Sequence, residues 1–425
     1  MRVCMPTQYA EGAAWFAQRM AANGHEVDVS IAAEQCKEAL GGIINRVDAL
    51  DEPEAYDLAV FDVCGQGKLA DEARLKTPTI GDSSLATRLE EDRIYGLEFM
   101  EQCGIKVSPW EQFSNPADAI RYIKRSKKPL VFKPVGEQDD KSTTYVAKSP
   151  EDMLRYFDTL FRSGGVSEFV LQEVVTGTEV STQVYLNPQG YYALNHTLET
   201  KKLMNDNLGP ATGCSGSLVW MCREDRVFDQ GLKKAVAPLQ ALGYVGPIDL
   251  NTIVNDDGVW GLEWTSRFGY DADALLTRLL PMEFGEFLHK VASGEKLPDM
   301  SPLHSYCASI RLSCPPYPCE GLPRKHYKAG VPIHGLTEDM LDKFFLYDAR
   351  KNEEGTLETA GICGWIGSPL AVGETPGQAF ESAREMLRQV TVPNGQFRTD
   401  VLANTSARLT KLRVDGWLKD APYER

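Results

Sequence analysis

The chain has 425 residues, 43% of them apolar and 25% charged, with 36 glycines and 24 prolines; this ordinary globular composition excludes a disordered or collagen-like chain, and at ~100–200 residues per domain it allows about two to four domains. Sixty acidic residues against 45 basic ones give a formal net charge of −15, which repels phosphate backbones and disfavours nucleic acid as a partner. No run reaches the ~18 apolar residues of a membrane span, and the opening MRVCMPTQYA lacks the apolar stretch of a signal peptide, so a cytoplasmic protein without membrane partners is expected.

In chain order, MRVCMP reads as a short apolar strand, EGAAWFAQRMAANG as a helix stopped by glycine, HEVDVSIA as a second strand and YDLAVFDVCG as a third. Residues 1–87 are therefore expected to form a small doubly wound α/β unit with a parallel sheet. Its first turn, PTQYAEG, lacks the G-x-G-x-x-G of a dinucleotide site. LATRLEEDRIYGLEFMEQCGI has helical spacing, and NPADAIRYIKRS opens a further helix with an Asn-Pro start signal. Two helices are thus expected before PLVFKPV, a strand that pairs with STTYVA across an acidic loop. SPEDMLRYFDTLFRSGG is a capped helix, and EFVLQEVV and TEVSTQVYLN are two more strands of this α+β unit.

GYYALNHTLE, IDLNTIVND and GVWGLEWTS continue as strands, the last two joined by the hairpin signal DDG. From about residue 300, YCASIRLSC, FFLYDARK, ETAGICGWIGSPLAVG and the helix TPGQAFESAREMLRQV suggest a separate small α+β domain. The expected division is 1–87, 88–300 with a lid portion at about 120–176, and 301–425. The ten cysteines show no C-x-x-C and no zinc spacing; Cys314 and Cys319 are the closest pair, but CPPYPC holds three prolines, and reduced, buried thiols are expected.

Two lysines, Lys133 and Lys141, flank the acidic loop of KPLVFKPVGEQDDKSTTYVA. In order along the chain, PLVFKPVGEQDDK, FVLQEVVTGTEVS, LETKKLMNDNLGPATGCSG, GLEWTSRFG, IHGL and FRTD resemble the ATP-grasp ligases, and specifically the phosphoribosylamine–glycine ligase family, over roughly residues 75–405. The resemblance implies an α/β and α+β multidomain chain: an ATP-grasp fold, a doubly wound N-terminal domain and a small C-terminal α+β domain. It also implies ATP with Mg²⁺ or Mn²⁺, and amide formation through an acyl phosphate made from a small carboxylate, glycine by resemblance. A monomer or small homo-oligomer is expected.

A triphosphate needs fixed cations along its length. By resemblance Lys133, at a strand end, meets the α/β-phosphates, Lys141 folds over the β/γ-phosphates with its loop, and Arg93 stands where many relatives carry a lysine near the first phosphates. Gln172, Glu173 and Val175 lie against adenine, and Glu179 accepts from the ribose hydroxyls, a role suited to an acceptor-only group. Glu263 matches the bridging metal carboxylate and Asp249, on the preceding strand, points into the same site, while Thr265 replaces the usual asparagine ligand. Arg267 stabilises the γ-phosphate and then the tetrahedral oxyanion; read alone, it would pair with Asp271 or Asp273. Lys201, Lys202, Gly209, Pro210, Thr212 and Gly213 flank the acyl acceptor, where backbone amides grip a carboxylate or acyl phosphate.

Four departures from the family pattern stand out in the sequence. Glu137, Asp139 and Asp140 crowd Lys141, Cys214 replaces a glycine of the acceptor loop, and Thr265 alters the metal pair. MPTQYAEGAAW and FDVCGQGKLADE replace two family turns, G-x-G-G-R-E-H and G-P-E-x-P-L, on the amine side. Three readings stay open: ligation to phosphoribosylamine, ligation to a different amine, and a degenerate ATP-binding protein.

Overall fold

The computed structural model describes residues 1–135, 144–162, 167–300, 305–318 and 326–419. Strands β1 (Arg2–Thr7), β2 (Glu26–Ile31), β3 (Leu58–Phe61) and β4 (Thr79–Gly81) form a parallel sheet of order β2-β1-β3-β4. Helix α1 (Ala10–Ala22) buries Trp15, Phe16 and Met20 against it, as its apolar spacing requires. The sequence reading had no counterpart for β4, which is three residues long. It ends on Gly81 at φ +101°, where an added Cβ would lie 1.9 Å from the Phe61 carbonyl oxygen, so only glycine fits there.

The stretch read as one helix over residues 85–105 is two. After α2 (Gly67–Arg74), α3 (Ser84–Glu91) stops at Asp92, whose extended backbone and side chain start α4 (Arg93–Gln102) by accepting from Tyr95 N–H at 3.0 Å. With the helix Pro116–Arg125, three helices therefore stand between Ser84 and Leu130 where two were expected, because a good N-cap in mid-sequence overrides the continuous apolar period. After β5 (Lys106–Val107), β6 (Trp110–Phe113), β7 (Leu130–Pro134), β8 (Tyr145–Val146) and β9 (Phe169–Glu173) form an antiparallel sheet of order β6-β9-β7-β8. Helices α5 (Pro116–Arg125) and α6 (Pro150–Arg162) cover it, around an aromatic cluster of Phe113, Phe132, Phe157 and Phe169.

The centre of the molecule is an eight-stranded sheet. It takes β10 (Thr178–Asn187), β11 (Gly190–Met204), β12 (Leu208–Met221), β13 (Gly246–Asn255), β14 (Gly258–Thr265), β15 (Tyr306–Ile310), the edge strand Ala371–Gly373 and β5, with β12-β11-β10-β13-β14 in the middle. The glycine-rich NLGPATGCSGS, read from sequence as a loop, is mostly the start of β12; it runs back along β11 with Met204 opposite Leu208 and Lys202 opposite Ala211. The C-terminal strands also join this sheet, β15 pairing with β12 from Trp220–Tyr306 to Gly216–Ile310. The α+β segment after residue 300 is thus continuous with the centre through its hydrogen bonds.

The central sheet has two unlike faces, as alternation along each strand dictates. Val180, Val184, Leu198, Leu218, Leu250 and Trp264 belong to the large buried core. Their sequence neighbours Glu179, Ser181, Gln183, Glu199, Asp249, Asn251, Glu263 and Thr265 occupy the other face. Among the described residues, no helix is long and apolar enough to cross a membrane. The described cysteines are free: five buried and four half-buried; Cys319 lies outside the described residues.

Candidate active site

Antiparallel register assembles the polar face. Ser181 lies opposite both Asn251 and Thr197, and Gln183 opposite Asp249. Asn251 in turn lies opposite Glu263, and Asp249 opposite Thr265. Directly opposed residues share a face, so β13 and β14 present Asp249, Asn251, Glu263 and Thr265 together, beside Glu179 of β10 and Glu199 and Lys201 of β11. Glu263, Asp249, Thr265, Glu179 and Lys201, named from separate stretches of sequence, are thus neighbours.

One lysine among four carboxylates sets the electrostatics. Lys201 Nζ donates to Glu179 Oε1 at 2.5 Å, and Asn251 Nδ2 donates to the same oxygen at 3.0 Å. Burial works against the Lys201 charge, but Glu179, Glu199 and Glu263 outweigh it and raise the lysine above its ordinary range. Burial would raise Glu179 too, yet Lys201 and Asn251 hold it below the usual carboxylate range. Asp249 is pushed well up, by burial first and then by the like charge of Glu199, Asp273 and Glu263, with a hydrogen bond from Ser181 opposing. Burial also raises Glu199, against the attraction of Lys201. A cation placed here would relieve two buried acids.

Arg267 follows β14 directly and does not pair with Asp271 or Asp273. Its Nε donates to Glu90 Oε1 at 3.3 Å and its Nη1 to Phe268 O at 2.9 Å, and its guanidinium lies 4.6 Å from the centre of the Tyr270 ring. Glu90, at the end of α3, also accepts from Ser266 N–H at 2.9 Å. Burial alone would lower Arg267, but Glu90 more than compensates and keeps the guanidinium charged. The two aspartates are engaged elsewhere: Asp271 Oδ2 accepts from Arg311 at 2.9 Å, and Asp273 accepts from Gln183, Tyr185 and Gly269 N–H. Burial pushes Asp273 up to about 6.

The described candidates assigned by resemblance to the lid and the adenine position lie around the β7–β9 pair. Lys133 sits on β7 opposite Val170, and Arg93, the first residue of α4, donates from Nε to the carbonyl of the next residue, Pro134, at 3.1 Å. The two cations thus come from elements that meet at the end of β7. Gln172 is buried on β9, its Nε2 donating to Ser108 O at 3.3 Å. Glu173 binds Pro109 and Ser108 through its backbone and Lys128 at 2.5 Å through its carboxylate. Val175 follows β9 and is half-buried. Lys141 and the acids Glu137, Asp139 and Asp140 lie outside the described residues.

At the β11–β12 hairpin, Gly209, Pro210 and Gly213 are exposed, and Lys202 is exposed with its carbonyl held by Arg398. Thr212 Oγ1 donates to Lys201 O at 3.0 Å and shares a hydrogen bond with Ser215 Oγ. Cys214, in the place of a glycine, is buried against Ser217 Oγ at 2.9 Å.

Three neighbours of these candidate residues escaped the sequence reading: Glu90, Glu199 and Asn251. Glu199 had a usable signal, since it alternates with Lys201 on one strand. Glu90 had none, being 177 residues from Arg267. Among the described residues, three ligand-type atoms come within 4.8 Å of one another at His196, Cys222 and Asp225, on the opposite, core side. There His196 already bonds Thr182 Oγ1 and Asp225 Oδ2, and Asp225 Oδ1 caps Val227 and Phe228, which accounts for the cluster structurally.

Comparison with known proteins adds to this geometry. Residues 91–273 match the family described as phosphoribosylglycinamide synthetase, ATP-grasp (A) domain. The chain is 24% identical over 341 residues to the phosphoribosylamine–glycine ligase of Thermotoga maritima, covering 77% of this chain and 80% of that protein. It is 26% identical over 339 residues to the human trifunctional purine biosynthetic protein adenosine-3, covering 76% of this chain and 32% of that one. In structure it resembles the crystallised phosphoribosylamine–glycine ligase of Thermotoga maritima at a TM-score of 0.75 and 21% identity, over 94% of this chain and all of that one. It also resembles biotin carboxylase from Campylobacter jejuni at 0.65 and 13%, over 99% and 98%. The fold is therefore ATP-grasp, and the resemblance carried by the motifs is borne out.

Proposed function

We propose that this chain, with its ATP-grasp domain of the phosphoribosylglycinamide synthetase type, is an ATP-dependent carboxylate–amine ligase. The observation that carries the reading is the polar face of the central sheet, where Lys201 stands among Glu179, Glu199, Asp249 and Glu263, with Arg267 fixed at its edge by Glu90. A carboxylate oxygen of the substrate attacks the γ-phosphorus of ATP, and the bond to the β-phosphate oxygen breaks, leaving ADP and an acyl phosphate. The neutral amine then attacks the acyl carbon. The C–N bond forms, phosphate departs with the C–O electron pair, and the amine proton passes to solvent.

No covalent protein intermediate is required, so the chain contributes position and charge. Lys133 and Arg93 hold the phosphates, and Lys141, eight residues after Lys133 in the sequence, adds a third cation by resemblance. Gln172, Glu173 and Val175 line the adenine position, and Glu179 accepts from the ribose. Arg267, held by Glu90 and Phe268 O, faces the transferred phosphoryl group without reorganising. Lys201, Lys202, Thr212 and the amides around Gly209, Pro210 and Gly213 lie on the acyl side.

Glu263, Asp249 and Thr265 offer hard oxygen donors, as Mg²⁺ prefers, and the raised Asp249 and Glu199 fit a site completed by a cation. Mg²⁺ takes few protein ligands and shares the nucleotide's oxygens, so no closed protein cage is needed. When bound, it neutralises charge on the phosphates.

One observation favours an amine other than phosphoribosylamine. Asp62 is 2% exposed and packs on the first turn of α1, where a Cβ added to Gly12 would lie 1.9 Å from Asp62 Oδ2. A carboxylate thus fills a helix start that would otherwise attract a phosphate.

The test of ligation is ADP release with Mg-ATP, a panel of small carboxylates led by glycine, and hydroxylamine as a universal acceptor. Carboxylate-dependent ADP release with an equal yield of hydroxamate is expected. ADP release that no carboxylate stimulates would overturn the reading.

A further inference from the structure

Beside the β11–β12 hairpin lies a cavity of about 230 Å³, walled by Leu203, Met204, Arg311, Tyr317, Gln396 and Arg398 among others. In a chain of net charge −15, the charged side chains among its described lining residues are the two arginines alone. Arg311 is 8% exposed and firmly held. Its Nη1 donates to Thr212 O at 3.2 Å and to Tyr317 Oη at 2.7 Å, its Nη2 donates to Asp271 Oδ2 at 2.9 Å, and its guanidinium lies 3.6 Å from the centre of the Trp365 ring. Its Nε–H has no acceptor among the described residues, so the five-donor fork is only partly used. Arg398 binds Asp400 at 2.8 and 2.9 Å and Lys202 O at 2.8 Å.

We propose that this cavity holds the amine substrate, and that the amine is a small amino acid gripped by its carboxylate at Arg311. Each arginine is balanced by one carboxylate, Asp271 or Asp400, and neither aspartate is among the lining residues, so the cavity wall presents cationic donors with no net excess of charge. That suits a monoanion; a phosphate dianion would bring a second charge close to both aspartates. Leu203 and Met204 receive the hydrocarbon part of the ligand. Thr212 joins the cavity to the polar face, since its carbonyl holds Arg311 and its hydroxyl holds the Lys201 carbonyl. The amino group is thereby directed toward the acyl side of the site. This assignment rests on the ligase reading and names the class of its second substrate.

The experiment is calorimetric titration of the ADP-saturated full chain with alanine, valine and leucine, with the decarboxylated partners ethylamine and isobutylamine, and with phosphoethanolamine. The amino acids bind, and their decarboxylated partners bind at least about tenfold more weakly, the worth of a charge-assisted hydrogen bond. Arg311→Lys weakens amino-acid binding by a similar factor and leaves ADP affinity unchanged. Gln396→Met, which disturbs no ion pair, weakens it a few-fold and guards against a misfolded arginine variant. In turnover, Arg311→Lys raises KM for the amino acid and leaves kcat nearly intact. Equal binding of alanine and ethylamine, tighter binding of phosphoethanolamine, or indifference to both substitutions overturns the proposal. Amino-acid binding without stimulated ADP release would sink the ligase reading and keep the cavity assignment; ADP release driven by a phosphorylated amine alone would do the reverse.

Discussion

Replacing Arg267 by alanine separates its structural from its chemical role. The Glu90 and Arg267 side chains are 8% and 17% exposed, so the ion pair is largely withdrawn from water. Removing the cation strips Glu90 of its charged partner and leaves it neutral donors such as the Ser266 N–H and the Cys64 thiol, a loss of about 3 kcal/mol for a buried pair. A stability of about 5–15 kcal/mol tolerates this, and urea unfolding measures it. Turnover falls further than stability can explain, by about 10²–10³-fold, the usual worth of a fixed donor aimed at developing charge. The control is the double variant with Glu90→Gln, whose amide oxygen still accepts from Ser266 while no buried charge remains. It regains most of the stability and none of the turnover. If turnover returns with stability, or if Arg267→Ala alone turns over like the parent, Arg267 is a structural residue and its role in phosphoryl transfer is wrong.

Three further outcomes follow from the same geometry. Lys133→Ala stays folded, weakens nucleotide binding and lowers turnover about 10²-fold, as read by titration and ADP release; unchanged nucleotide affinity removes Lys133 from the phosphates. Glu263→Gln raises the Mg²⁺ concentration needed for half-maximal turnover by about tenfold or more, one lost charge-assisted contact; an unchanged metal dependence moves the metal elsewhere. Asp273, raised by burial from 3.8 to about 6, keeps a proton in the folded state that the unfolded chain releases. Its contribution is therefore fully present below about pH 4 and lost as pH rises through 6, a change of about 3 kcal/mol. Urea midpoints between pH 4 and 7 show that fall in the parent relative to Asp273→Asn; parallel profiles contradict it.

Local chemistry was legible where one stretch of chain carries it. The β1–α1–β2 order follows from apolar period and a glycine stop, and the β13–β14 hairpin, announced by DDG, brings Asp249 and Asn251 opposite Thr265 and Glu263. What depends on distant partners was not legible. Arg267 finds Glu90 across 177 residues, while the nearby Asp271 and Asp273 are drawn to Arg311 and to Tyr185. The glycines of NLGPATGCSGS signal a loop, yet pairing with β11 holds the segment as strand, an instance of tertiary context overriding propensity. The helix break at Asp92 was present in the sequence as a cap residue, masked by continuous helical spacing on either side.

The central claim is phosphoryl transfer from ATP to a substrate carboxylate, and isotope transfer tests it directly. Glycine labelled with ¹⁸O in its carboxylate is incubated with Mg-ATP, the protein and an accepted amine, and the inorganic phosphate is analysed by mass spectrometry. An acyl phosphate intermediate predicts one ¹⁸O atom in each phosphate released. If a carboxylate-stimulated reaction releases phosphate that carries no label, its oxygen came from water, and the protein hydrolyses ATP without activating the acid.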